Sequence, residues 1–163
     1  MSTELEQLVL DTLHDRRRAA TDSCLVVNEA GMELLASTAE ALPVIERVLR
    51  TVVIPAMSEQ KAEGLGFLGL DYVLGAYLVI GCKTGLDRTV AFLREIPHPL
   101  LIQAFSAIPI FFRRMKDGYN SGVPPAPYLV AFLHELSGSP QREVRDEARG
   151  TLEQLRSQDS SIS

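Results

Sequence analysis

The chain has no tryptophan, only two cysteines and only three histidines among its 163 residues. Two cysteines, Cys24 and Cys82, cannot form a disulfide framework or supply a four-ligand zinc site on the usual spacing. His14, His98 and His134 lie far apart in sequence and share no metal-ligand spacing. We therefore expect a reduced, cytoplasmic protein with no metal site and no other cofactor.

The chain also lacks an apolar run long enough to cross a bilayer. Its longest run, LGFLGLDYVLGAYLVIG (65–81), has 17 residues and includes Asp71, whereas a membrane-spanning helix needs about 20 apolar residues. The N-terminal stretch MSTELEQLVLDTLHDRRR places its basic run after its leucines, and a secretory signal has the opposite order. We expect no membrane association, and we expect residues 67–81 to form a buried helix.

An excess of positive charge is missing as well. The 16 basic and 21 acidic side chains leave a net charge of −5, which argues against binding to the nucleic-acid backbone and favours a protein partner with a basic face. Hydrophobic residues make up 46% and charged residues 23% of the chain, as in ordinary soluble proteins. We predict one domain over residues 1–156, followed by a disordered polar tail over 157–163.

Alternating apolar and polar residues, the pattern of β-strands, are almost absent, and helical spacing dominates. The helix that follows Pro43 should end at Pro55, and the helix that follows Pro99 should bend at Pro109 and end before Gly118. The sequence thus predicts an all-α fold, with helices over 5–13, 25–35, 44–54, 67–81, 88–96, 100–116, 128–136 and 141–156.

One heptapeptide is repeated: VAFLREI (90–96) returns 40 residues later as VAFLHEL (130–136), each before a proline-containing turn and a second helix. PYLVAFLHELSGSPQREVRDEARGTLEQL (127–155) resembles a HEAT repeat, of the HEAT-repeat and armadillo-like helical repeat family. The likeness is partial over 87–115 and faint over 43–81. The aspartate common in the HEAT turn is missing from SGSP (137–140).

That resemblance implies an irregular α-solenoid of antiparallel helix pairs, in which the charged last helix serves as a cap. Solenoids of this kind usually bind other proteins. We therefore expect a non-enzymatic protein–protein interaction module, acting as a scaffold, an adaptor or an immunity-type protein that neutralises a toxin.

The stretch GCKTGLDRT (81–89) supports an alternative function. Cys82, five residues and Arg88 reproduce the spacing of the phosphate-binding loop of cysteine-dependent phosphatases. In such a loop backbone N–H groups surround the phosphate, arginine binds two of its oxygens and a helix N-terminus keeps the cysteine as thiolate. The stretch also resembles the motif of inositide phosphatases, where aspartate often precedes the arginine, as Asp87 precedes Arg88. The alternative is a phosphatase that uses Cys82 and Arg88.

Three features of the sequence argue against phosphatase chemistry. Gly81 stands where that superfamily usually has histidine, and no aspartate lies between Asp22 and Asp71 to supply the usual upstream acid. The loop also needs a sheet to hold it, and the chain offers almost no strands. We predict instead that Cys82 lies at the end of a helix, where Gly85 stops that helix and Asp87 caps the next.

The candidate binding surface is the long loop DGYNSGVPPAP (117–127) with the basic segment before it. Long loops in compact domains are often functional, and tyrosine with arginine is typical of binding hot spots. We predict that the partner contacts Arg113, Arg114, Lys116, Tyr119 and Asn120. The alternative is a flexible connector beside a solvated helix end.

Overall fold

A computed structural model describes residues 2–14, 28–58, 67–85 and 87–162. They are mostly helical, with one short β-hairpin, which confirms the all-α prediction in outline. The chain divides into two compact units, residues 1–80 and 81–163. The elements are α1 (Ser2–Leu13), α2 (Glu29–Leu35), α3 (Ala41–Val48), α4 (Ile54–Ser58), α5 (Phe67–Thr84), α6 (Arg88–Leu93), α7 (His98–Phe111), β1 (Arg114–Met115), β2 (Gly118–Tyr119), α8 (Pro127–Leu136) and α9 (Arg142–Gln158).

In the first unit, α1 packs against both α2 and α3. Asn28 connects two of these helices. Its side-chain oxygen accepts the Gly31 N–H at 2.9 Å and so caps α2, while its side-chain nitrogen donates to the Thr12 carbonyl of α1 at 3.1 Å. Farther along, the Tyr77 hydroxyl donates to the buried carboxylate of Glu46 at 2.8 Å, which satisfies two polar groups inside the core.

The prediction that Pro55 ends its helix is wrong. A π-helical turn over Leu49–Val53 joins α3 to α4, and the helix continues past Pro55 to Ser58. Proline has no N–H to donate, and its ring clashes with the carbonyl four residues earlier. The wider π turn immediately before Pro55 shifts that carbonyl and lets the helix go on.

The apolar run forms the buried helix that the sequence predicts. Every residue from Asp71 to Ile80 in α5 is buried, and the helix extends three residues beyond the predicted end at Gly81, to Thr84. It then stops at Gly85, whose φ of 70° is the left-handed conformation expected of a helix-ending glycine. Among the described helices, none has the length and hydrophobicity that crossing a membrane requires.

In the second unit, α9 packs against α7 and α8, and α6 contacts α8. The two copies of the repeated heptapeptide occupy similar environments: Phe92 and Leu93 are buried in α6, as Phe132 and Leu133 are in α8. The Phe132 ring meets Phe105 of α7 edge-to-face, with centroids 6.0 Å apart. A solenoid built of successive antiparallel pairs stays a prediction.

The predicted helix over 100–116 is too long. α7 ends at Phe111, and the basic residues that should have formed its last turn begin a β-hairpin instead. Pro109 gives no N–H to the final turn, while Phe111 and Phe112 are both buried. The chain leaves the helix directly after these two aromatic residues, so the following basic residues are exposed.

Candidate functional site

The predicted binding residues are brought together by the hairpin of β1 and β2. Arg114 pairs with Tyr119 and Met115 with Gly118, so Lys116 and Asp117 form the turn. Gly118 has a φ of 139°, which residues with a side chain rarely adopt. Two bonds of Asn120 close the base of the hairpin: its N–H donates to the Arg113 carbonyl at 2.9 Å, and its side chain donates to the Ile110 carbonyl at 3.0 Å.

The C-terminal segment holds the hairpin in place. The Tyr119 hydroxyl donates to a carboxylate oxygen of Asp159 at 2.5 Å, and the Arg114 guanidinium lies 3.6 Å from the same oxygen. The backbone N–H of Arg114 also donates to the side chain of Gln158 at 2.9 Å. Gln158 and Asp159 both belong to the tail, residues 157–163, that the sequence predicts to be disordered. α9 extends into this tail as far as Gln158.

Asp159 is the centre of that contact. Its second oxygen accepts from both the N–H and the hydroxyl of Ser161, at 3.0 and 2.7 Å. The hydrogen bond from Tyr119, followed by those from Ser161 and by the charge of Arg114, lowers the pKa of Asp159 from 3.8 to about 2. Burial and the nearby carboxylate raise the pKa of the Tyr119 hydroxyl. Tyr119 thus stays protonated as donor and Asp159 ionised as acceptor.

The five predicted residues therefore divide into two groups. Arg114, Tyr119 and Asn120 make the bonds that build and fasten the hairpin. Arg113 and Lys116 are exposed and form no ion pair with the part of the chain that the structure describes. Between these two cations lies Met115, with 54% of its surface exposed. The sequence patterns did not single out Asp159 and Gln158, which lie about 40 residues away and have no local signature.

An open concavity of about 390 Å³ lies beside the hairpin. Tyr119 and Asp159 form one side, and the exposed face of α8 and the proline-rich segment before it form the rest. The side chain of His134 reaches the concavity and lies 3.2 Å from an Arg156 nitrogen. The residues around the concavity are Tyr119, Pro124, Pro125, Pro127, Val130, Ala131, His134, Asp159, Ser161 and Ile162.

Cys82 lies inside the last turn of α5, and the described residues directly before it, from Phe67 on, form that helix rather than a strand. Burial raises the pKa of the Cys82 thiol to about 11. The N–H of Ala126, which lies 3.3 Å from the sulfur, lowers the pKa and so opposes this shift only in part. A phosphatase nucleophile has the opposite property, a lowered pKa. A side chain at Gly81 would overlap Thr89, which explains why no histidine stands before Cys82.

Asp87 occupies the position before α6, but its side chain makes no capping hydrogen bond there. Its carbonyl accepts from the N–H of Ala91 at 3.2 Å. The predicted stop at Gly85 is thus present, whereas the predicted side-chain cap at Asp87 is wrong: at φ −85° and ψ 3° the residue lacks the extended backbone that points a capping side chain at the helix N-terminus.

A second concavity, the acidic groove, lies in the first unit between α1 and the end of α2. Its volume is about 650 Å³, and its walls carry four carboxylates and no basic side chain. It is lined by Glu4, Leu5, Gln7, Leu8, Asp11, Glu33, Ser37, Thr38 and Glu40. The groove is therefore a negatively charged surface.

Metal-ligating side chains do not cluster in the described parts of the chain: nowhere there do three histidine, cysteine, aspartate or glutamate side chains share a possible site. Cys24 and the basic run 16–18 lie outside the described residues. Comparison of the sequence with models of protein families and with curated proteins, and of the fold with solved structures, finds no match.

Proposed function

We propose that this protein is a non-enzymatic protein–protein interaction module and that the hairpin is its partner-binding surface. One observation carries the proposal. The exposed cations Arg113 and Lys116 lie at a hairpin, and the hydrogen bond from Tyr119 to Asp159 holds this hairpin against the end of α9. A binding surface that is ordered before the partner arrives loses less conformational entropy on binding.

The composition of the hairpin supports the same function. Arginine and tyrosine are enriched at binding hot spots, and methionine adapts its shape to different surfaces. Met115 between two cations therefore offers an apolar contact with charged residues around it. The HEAT-like pattern of the second unit supports the same class of function, as a scaffold, an adaptor or a neutralising protein of the immunity type.

The alternative function, a cysteine-dependent phosphatase, would need Cys82 as a thiolate beside Arg88 in a loop that surrounds phosphate. The helical backbone at Cys82 and its raised pKa favour a packing role for this residue instead. Arg88 begins α6 and is exposed.

The test is affinity capture from an extract of the native host with the full chain as bait. The informative variant is Arg113→Glu/Lys116→Glu, because the side chains of these two residues make none of the bonds that hold the hairpin; the carbonyl of Arg113, which accepts from Asn120, is kept in the variant. We expect it to lose the captured partner while its thermal unfolding stays unchanged. The matched control, Arg142→Glu/Arg149→Glu, changes the charge equally on exposed positions of α9 and should capture the partner like wild type.

Two results would contradict the proposal. One is a partner captured equally by wild type and by the hairpin variant. The other is hydrolysis of aryl phosphates or phosphoinositides that Cys82→Ser abolishes, which would favour the phosphatase.

A further inference from the structure

The segment Val123–Pro127 joins the hairpin to α8: its first four residues lie outside any helix or strand, and Pro127 is the first residue of the helix. Ala126 has φ −66° and ψ 148°, which is the polyproline II conformation. The rings of Pro124, Pro125 and Pro127 fix φ near the same value. Pro127 is the first residue of α8, but the position of its ring is set by ψ of Ala126 and by φ of Pro127 itself. Both angles have polyproline II values, so the Pro127 ring lies where the next ring of a polyproline helix would lie.

Exposure along the segment follows the three-residue period of a polyproline helix. Pro124 and Pro127, three positions apart, are both exposed, whereas Ala126 between them is buried. The two exposed rings therefore lie along one edge of the segment, in the spacing Pro-x-x-Pro.

Contacts with the rest of the second unit hold the segment in this conformation. The N–H of Ala126 donates to the Cys82 sulfur at 3.3 Å, and the N–H of Val123 donates to the Ser121 hydroxyl at 3.3 Å. The Ala126 carbonyl accepts the N–H groups of Leu129 and Val130 in the first turn of α8. Every N–H of the segment is thus used internally.

Two carbonyl groups remain as hydrogen-bond acceptors. Those of Pro124 and Pro125 have no donor among the described residues. The segment is also open on both sides. On one side is the 390 Å³ concavity beside Tyr119, and on the other is a further concavity of about 670 Å³ beside Cys82, Lys83 and Tyr128, distinct from the acidic groove. Both are lined by Pro124, Pro125 and Pro127.

We propose that Val123–Pro127 is a preformed polyproline II ligand for a partner protein whose groove is lined by aromatic side chains. Such grooves bind the exposed proline rings between aromatic rings, and tryptophan N–H or tyrosine O–H groups donate to the free carbonyls. The segment presents both features on one edge, and its contacts with Cys82 and α8 keep it ordered without a partner. The role of Cys82 is then to position Ala126.

This inference goes beyond the proposed function, because it concerns a different surface and a different chemistry from the cationic hairpin. The experiment titrates the full chain with three isolated domains that read polyproline ligands through aromatic grooves: an SH3 domain, a WW domain and an EVH1 domain. The chain has no tryptophan, so the tryptophan fluorescence of each domain reports binding without interference. Carbon–proton NMR spectra of the labelled chain then locate the contact.

We expect at least one domain to bind and to shift the ring signals of Pro124 and Pro127. The variant Pro124→Ala/Pro127→Ala should raise Kd about tenfold or more, as the loss of central contacts does. It should fold, because neither proline donates a hydrogen bond and alanine is favourable in a first helical turn. Pro140→Ala, at an exposed proline in the turn before α9, should bind like wild type.

The hairpin variant Arg113→Glu/Lys116→Glu separates the two proposals, because it should bind these domains as wild type does even if it captures no partner from the extract. Failure of all three domains to bind would overturn the inference. Binding that the double proline variant retains, or shifts confined to other parts of the chain, would overturn it equally.

Discussion

Cys82 shows how the environment of one residue decides between two interpretations of a motif. The spacing to Arg88 is that of a phosphatase loop, but the thiol is half-buried in the last turn of α5 and accepts the N–H of Ala126. A hydrogen bond to sulfur favours the thiolate, while burial disfavours it, and burial has the larger effect.

The thiol of Cys82 should therefore react slowly. A pKa of about 11 in place of 9.0 lowers the thiolate fraction at pH 8 roughly a hundredfold. In a Cys24→Ser background, we expect alkylation of native Cys82 by iodoacetamide to be slower than that of the unfolded chain by at least tenfold. Its rate should still rise between pH 9 and 10. A rate that levels off below pH 8 would contradict the raised pKa and favour a nucleophilic role.

Asp159 is the residue on which the order of the hairpin depends. Its pKa is lower in the folded chain than its ordinary value of 3.8, so its contacts stabilise the fold above that value. This contribution is lost as the pH falls through about 2. The C-terminal segment should thus stay fastened at neutral pH and loosen only in strong acid.

Tyr119→Phe removes the hydrogen bond that lowers the Asp159 pKa most. A carbon NMR titration of the Asp159 carboxyl should show a midpoint near 2 in wild type and a higher midpoint in the variant. The amide of Ser161 should also exchange faster with solvent. Tyr128→Phe is the matched control, because the Tyr128 hydroxyl donates to the Gly81 carbonyl instead. An unchanged midpoint in Tyr119→Phe would show that the contact is not formed in solution.

At the scale of elements, the two copies of the repeated heptapeptide are alike only in part: α8 includes all of 130–136, whereas α6 ends at Leu93, three residues before the predicted end at 96. The Phe–Leu pair is buried in both copies, and the alanine before it is exposed in both. The flanking positions differ, because Val90 and Ile96 are buried whereas Val130 and Leu136 are only partly buried. The two copies also meet: the Arg94 guanidinium forms an ion pair with Glu135 and lies 4.9 Å from the centre of the Phe132 ring. The ion pair is exposed and adds little stability by itself, but it joins the residue that follows α6 to the last turn of α8.

Glycine has opposite roles in two of the helices. A Cβ at Gly69 of α5 would overlap the carbonyl oxygens of Thr12 and Leu13, whereas a Cβ at Gly150 of α9 meets nothing. We expect Gly69→Ala to lower the free energy of unfolding by about 1–3 kcal/mol, because backbone must move. Gly150→Ala should raise it by about 0.5–1 kcal/mol through helix propensity. Denaturant unfolding of both variants measures the difference, and equal effects would contradict the close packing of α5 on α1.

Charge is distributed unevenly over the whole molecule. Residues 1–80 contain twelve acidic and six basic side chains, while residues 81–163 contain nine acidic and ten basic ones. The net charge of −5 therefore originates in the first unit, which contains the acidic groove, and the cationic hairpin belongs to a unit that is close to neutral. A basic partner would be attracted by the first unit, independently of its contact with the hairpin.

The association rate of the captured partner should therefore fall as NaCl is raised, if that partner has the basic face that the net charge favours. Glu33→Gln/Glu40→Gln should lower this rate at least about twofold at low salt, since attraction between separated charges acts mainly on association. The hairpin variant removes two direct contacts with the partner, so we expect it to raise the dissociation rate, which Glu33→Gln/Glu40→Gln should leave nearly unchanged. Surface plasmon resonance measures both rates, and an association rate that rises with salt would indicate an acidic partner instead.

The sequence alone determined the helical class, the buried helix after residue 67 and the stop at Gly85. These features depend on local chemistry: the spacing of apolar side chains, the length of an apolar run and the freedom of a glycine backbone. A local pattern also placed the cationic segment and Tyr119 near each other, because they are only a few residues apart.

The tertiary structure decided what distant residues do to one another. The helix that starts with α3 continues past Pro55 because a π turn precedes this proline. α7 ends at Phe111, where the rings of Phe111 and Phe112 are both buried. The bond from Tyr119 to Asp159 joins residues 40 positions apart, and the bond from Ala126 to Cys82 joins residues 44 apart. No periodicity encodes such pairs, because each forms only when packing brings the two partners together. The same packing buries the Cys82 thiol and holds Ala126 in the polyproline II conformation.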